Sequence, residues 1–98
     1  MKLKVFWTSE AETSFNKNID YLEDEWNAAV VEQFILKTEH SIATIENHPV
    51  LYPIINKKKR IHKCLIVKQI SLYYAIFDDR IDLLTFWNNF QSPKKLKL

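Results

Sequence analysis

The 98-residue chain contains no glycine. Globular proteins average about 7%. The absence excludes Gly-rich phosphate cradles such as the P-loop and the dinucleotide fingerprint, which need a backbone free of Cβ beside the phosphate. There is one cysteine, Cys64, so no internal disulfide can form, and no Cys/His cluster has the spacing of a zinc site. No metal and no cofactor are expected. No apolar run approaches the ~18 residues of a membrane span. Met1 is followed by Lys2-Leu3-Lys4-Val5 rather than by the apolar block of a signal peptide. These absences lead to the expectation of a soluble cytoplasmic protein with no membrane partner.

What is there is a globular mix, 47% hydrophobic and 27% charged, which argues against disorder. The length predicts one domain over residues 1–98, able to bury roughly 65% of its unfolded surface. The formal charge of +2 hides an asymmetry: residues 1–49 carry a net −5 and residues 50–98 a net +7. A cationic half suits a phosphate backbone or an acidic protein partner. The run Lys57-Lys58-Lys59-Arg60 also reads as a solvated loop.

The hydrophobic pattern divides the chain. Leu3 to Thr8 alternates as a strand does, with Leu3, Val5 and Trp7 on one side. Ser9-x-x-Glu12 has capping-box spacing. It is followed by Ala11, Phe15, Ile19, Leu22 and Trp26, the apolar stripe of a helix over about 10–26. Asn27 can cap a second helix with the stripe Val31, Phe34, Ile35, Thr38, Ile42 and Ile45, which Asn47-His48-Pro49 stops. So short a link predicts an antiparallel helix hairpin. Residues 50–60 read as a connector. From Ile61 the period becomes two, and Ile61–Val67, Ile70–Phe77 and Ile81–Asn88 form an antiparallel three-stranded meander. Residues 91–98 read as a basic C-terminal tail. The expected fold is α+β, with the hairpin on one face of a four-stranded sheet and a core of Phe15, Ile19, Leu22, Phe34 and Ile42. The middle strand of the meander is apolar on both faces, Leu72, Tyr74 and Ile76 against Tyr73, Ala75 and Phe77. Its second face therefore needs a cover: the tail, a second copy or another protein.

The order strand, helix hairpin, meander and basic tail resembles the RelE/ParE superfamily of toxins from type II toxin–antitoxin modules, closer to its ParE-like members. The residues that carry the resemblance are Val5-Phe6-Trp7-Thr8-Ser9-Glu10-Ala11, Tyr21-Leu22, Pro49 with Tyr52-Pro53, Ile61-His62-Lys63, Val67-Lys68, Tyr73 through Asp79, and Ile81 through Pro93. The resemblance implies a growth-inhibiting toxin held inactive by a cognate antitoxin. Its target would be DNA gyrase, as for ParE-like members, or messenger RNA on the ribosome, as for RelE-like ones. Readings that remain beside these are a non-toxic nucleic-acid-binding module and a decayed toxin that only binds its antitoxin.

Metal-free RNA cleavage requires a base for the 2′-hydroxyl, charge stabilisation at the phosphorane and an acid for the leaving oxygen. Where the superfamily commonly shows an arginine pair this chain has His62 and Lys63, and Phe90 stands at an expected arginine. No Tyr or His follows Trp87. Candidate catalytic residues are therefore reduced to His62, Lys63 and Lys68, with His62 also readable as a strand-end residue bonded to backbone. Candidate target-binding cations are Arg60, Lys63, Lys94 and Lys95. Tyr73 and Tyr74 read as packing or as base-stacking rings. Cys64 reads as a small buried hydrophobe. Asp78, Asp79 and Asp82 read as turn residues rather than metal ligands.

Overall fold

A computed structural model describes residues 2–98. The elements follow in the order β1 (Lys4–Trp7), α1 (Ser9–Glu25), α2 (Ala28–Asn47), β2 (Ile54–Asn56), β3 (Ile61–Val67), β4 (Ile70–Ile76) and β5 (Arg80–Asn88), with a short 3₁₀ turn at Pro93–Lys95. The strands form one sheet in the order β1-β5-β4-β3-β2. β1 runs parallel to β5, and the other pairs are antiparallel. The α+β arrangement of hairpin and meander is as the sequence predicts. The strand count is not, because the connector contributes β2, which pairs with β3 through Ile54 and His62.

The start of α1 also differs from expectation. Its cap is Thr8, whose hydroxyl accepts from the Ala11 N–H at 3.1 Å and donates to the Leu83 carbonyl at 2.7 Å. One side chain thus ends β1, begins α1 and anchors both to β5. Ser9 is already helical, so the Ser9/Glu12 capping box does not form. Asn27 caps α2 as predicted, accepting from the Val30 N–H at 3.0 Å.

The helices cover one face of the sheet. Leu22, Phe34, Ile45, Cys64, Leu72, Tyr74, Ile81 and Leu83 are buried together there, while the expected core residues Phe15, Ile19 and Ile42 are only partly buried at its margin. Phe15 packs against Trp7, Phe34 and Phe86 at centroid distances of 5.3, 5.1 and 5.2 Å. Truncating a ring such as Phe34, fully buried, costs about 3–5 kcal/mol because the cavity only partly collapses.

The deepest face of α1 carries Ala11, Ser14, Asn18 and Leu22, about one residue round from the apolar stripe. The reason lies in β5. Tyr73 pairs with Thr85 but Tyr74 with Leu83, so Leu84 is an extra, bulged residue. Beyond this point β1 has ended, leaving the β5 edge without a strand partner. Ser14 Oγ accepts from the Phe86 N–H at 2.8 Å, and Asn18 Nδ2 donates to the Phe86 carbonyl at 2.9 Å. The helix satisfies backbone groups that burial would otherwise orphan.

On the other face, Ile61, Tyr73 and Ala75 form a smaller cluster with Leu84, Trp87 and Leu96. Leu96 belongs to the tail, so the chain's own end supplies cover for the second face of β4.

Candidate functional site

The candidate residues separate onto three parts of the molecule. His62 faces the helices. Only 6% of it is exposed, and its ring stacks on Tyr74 at 5.3 Å with an interplanar angle of 16°. His62 Nδ1 lies 2.8 Å from the Tyr52 carbonyl oxygen. A carbonyl only accepts, so Nδ1 carries the proton. The Tyr74 hydroxyl donates to the Pro49 carbonyl at 2.6 Å. The pair therefore pins the segment between α2 and β2.

Lys63, the next residue, points to the opposite face, across from Tyr73. Lys68 lies in the turn after β3, with its Nζ 5.1 Å from the Trp26 ring centroid. At about 3.3 Å per residue it is roughly 16 Å along from Lys63. No pair among His62, Lys63 and Lys68 shares one catalytic locus. Phe90 is exposed beyond the end of β5 and adds no acid or charge. Tyr73 and Tyr74 are buried in the two clusters and present no ring to solvent for a base.

Of the binding candidates, Lys95 and Arg60 line neighbouring grooves that share Leu84 and Leu98. The tail folds back over the second face of the sheet. Ser92 caps the turn that carries Lys94 and Lys95, Leu96 packs beside Trp87 and Tyr73, and Lys59 Nζ donates to a Leu98 main-chain oxygen at 2.8 Å. This draws the lysines of the tail toward the Lys57–Arg60 turn. A groove of about 550 Å³ runs past Thr8, Glu10, Trp87, Lys95 and Leu96. Another, of about 420 Å³, is lined by Lys58, Lys59, Arg60, Phe77 and Leu98. Both are open, rimmed with cations and floored with apolar side chains.

Arg60 has φ 57°. In a chain without glycine it takes the left-handed position that ends this turn, at a cost of roughly 1–2 kcal/mol. Its Nη1 bonds Asp78 Oδ1 at 3.0 Å with both side chains largely exposed, an ion pair worth about 0–1 kcal/mol. Asp79 and Asp82 pair with Arg80 at 3.4 and 3.0 Å, so all three aspartates are partners of arginine, Asp78 and Asp79 in the hairpin turn and Asp82 within β5.

Sequence reasoning named the tail among the possible covers of the second face, where Leu96 packs, but missed the contact of Lys59 with Leu98. It also missed Glu10, whose Oε2 accepts from the Thr85 hydroxyl at 3.0 Å. The alternation of Pro93-Lys94-Lys95-Leu96-Lys97-Leu98 was the only available signal for a tail that lies down on apolar surface. Around Cys64, burial raises the thiol pKa above its ordinary value, and burial likewise raises those of the Tyr52 and Tyr74 phenols. Cys64 is thus a protonated thiol at neutral pH and no nucleophile.

Solved structures that share this fold include proteins of toxin–antitoxin systems. One, described as a chromosomal ParDE system of P. aeruginosa, superposes with a TM-score of 0.72 at 8% identity, covering 89% of this chain and 96% of that one. The YoeB dimer of Staphylococcus aureus gives 0.61 at 12% identity, covering 92% and 100%. A copper-bound toxin variant from Helicobacter pylori gives 0.61 at 22% identity, covering 89% and 94%. At such identities the likeness concerns the fold. No curated protein sequence matches the chain. Residues 5–89 match the family described as the ParE toxin of the type II toxin–antitoxin system, parDE, and the chain belongs to that family.

Proposed function

We propose that this chain stops growth by docking to an essential macromolecule, DNA gyrase by analogy with ParE-like toxins, and that a cognate antitoxin holds it inactive. Arg60, Lys63, Lys94 and Lys95 are the docking cations. The single observation that carries the preference for docking over RNA cleavage is the environment of His62. Its imidazole is stacked on Tyr74 and bonded to the Tyr52 carbonyl, on the face opposite Lys63. Losing a positioned charge stabiliser costs ~10²–10³ in rate, and losing the proton donor a further ~10²–10⁴.

Membership of the ParE family and the fold shared with structures solved as YoeB–YefM and DinJ–YafQ complexes support an antitoxin as partner. Among the described residues no helix is long and apolar enough to cross a membrane, which is compatible with action in the cytoplasm. The test is induction of the chain alone and together with the product of the adjacent reading frame. Growth arrest relieved by co-expression supports the reading. Codon-phased messenger RNA ends that disappear in His62→Ala would replace it with the ribosome-dependent nuclease.

A further inference from the structure

Beyond the end of β1, α1 and β5 flank a cleft of about 240 Å³, lined by Glu10, Lys17, Asn18, Tyr21, Asn88 and Gln91 among others. None of the docking cations Arg60, Lys63, Lys94 and Lys95 lines it. Two of its side chains are amides at least nine-tenths buried, Asn18 with 6% exposed and Asn88 with 9%. Each has one end bonded and one end open. Asn18 Nδ2 donates to the Ser14 and Phe86 carbonyls at 2.8 and 2.9 Å, which occupies both its protons and leaves Oδ1 as an acceptor. Asn88 Oδ1 accepts from the Phe90 N–H at 2.9 Å, which fixes the amide and leaves Nδ2 as a donor. Among the described residues Asn18 Oδ1 and Asn88 Nδ2 have no hydrogen-bond partner, and no side-chain nitrogen or oxygen is both fully enclosed and unpartnered. The two atoms therefore open onto the cleft. Its volume is about eight times the share of one water in the liquid, so a single bridging water does not fill it.

The rim adds one charge of each sign. Glu10 and Lys17 stand two turns apart on the same side of α1, about 10 Å along its axis. Among the described residues neither is in an ion pair. Glu10 Oε2 takes the Thr85 hydroxyl and leaves Oε1 open. We propose that the cleft binds a free amino acid with a carboxamide side chain, glutamine or asparagine. The ligand amide donates to Asn18 Oδ1 and accepts from Asn88 Nδ2. Its carboxylate meets Lys17 and its ammonium meets Glu10. Every polar end of such a ligand then has a partner, and the charges cancel. A few convergent polar groups that fix orientation are the mark of a small-molecule site. A mononucleotide fits less well, because its phosphate would bring a net negative charge into a cleft that already holds the Glu10 carboxylate. Binding of this kind is separate from the docking function proposed above and stands or falls without it.

The experiment titrates the full chain with glutamine, asparagine, glutamate, methionine and adenosine monophosphate. Amide NMR, side-chain amides included, reads both affinity and site. The expected result is saturable binding of glutamine or asparagine, with shifts centred on the side-chain amides of Asn18 and Asn88. Methionine and glutamate, which lack the amide donor, should bind about tenfold or more weakly, because a site built around a hydrogen bond rejects the analogue without it. Asn88→Asp keeps the acceptor for the Phe90 N–H and removes the donor. At unchanged circular dichroism it should weaken the amide ligand by about tenfold or more, as should Lys17→Ala. Lys37→Ala, at an exposed lysine of α2, should leave binding unchanged. No saturable shift at millimolar glutamine and asparagine, equal binding of methionine, shifts away from the cleft, or tighter binding of adenosine monophosphate would each overturn the proposal. The comparison among ligands uses the unaltered chain, so it decides the matter even where a variant does not fold.

Discussion

The imidazole of His62 lies flat against the phenol ring of Tyr74, 5.3 Å between centroids, and each ring bonds a main-chain carbonyl of the segment leading into β2. Replacing His62 by alanine removes the stack and orphans the Tyr52 carbonyl. Stability should fall by about 1–3 kcal/mol in urea denaturation. Target inhibition per folded molecule should be unchanged, because the ring touches no exposed docking cation. A variant of full stability and no inhibition would contradict this assignment.

Ser14 and Asn18 hold the edge of β5 where β1 has ended. Ser14→Ala leaves the buried Phe86 N–H without a partner and should cost about 1–3 kcal/mol, more than substitution of an exposed α1 residue such as Lys17. Hydrogen exchange at Phe86 should accelerate in step with the loss. An unchanged exchange rate would show that the contact is not made in solution.

The helices and the meander were legible because their apolar residues recur at 3.6 and at two. What escaped has identifiable causes. β2 spans three residues between Pro53 and Lys57, too short for alternation to register. Ser14 and Asn18 are polar, so a search for apolar stripes turned the buried face of α1 about one residue away. The Leu84 bulge shifts the phase of β5 within a run where Leu83, Leu84 and Phe86 are all apolar. The cationic candidates could be named from composition. The placement of Lys95 beside the Lys57–Arg60 turn depends on the tail folding back through Leu96 and on the contact of Lys59 with Leu98, long-range packing of which the Lys-Leu alternation of the tail gives only the apolar face.

Burial raises the pKa values of Cys64, Tyr52 and Tyr74 in the folded chain. Their neutral forms are favoured on folding, so their contribution is complete below the unfolded values and declines as pH rises above them. Stability should therefore fall above about pH 9, where the unfolded chain loses these protons first. Urea denaturation at pH 7 and pH 10 measures the difference, and Cys64→Ala with Tyr74→Phe should flatten it. A chain equally stable at both values would contradict the burial of this cluster.

The most direct test of the central claim is supercoiling by purified DNA gyrase in the presence of the purified chain. The account predicts dose-dependent inhibition that persists in His62→Ala and weakens by about tenfold or more when Arg60, Lys63, Lys94 and Lys95 are neutralised. Gyrase that supercoils normally at every dose, while the chain produces codon-phased messenger RNA cuts abolished by His62→Ala, would contradict it.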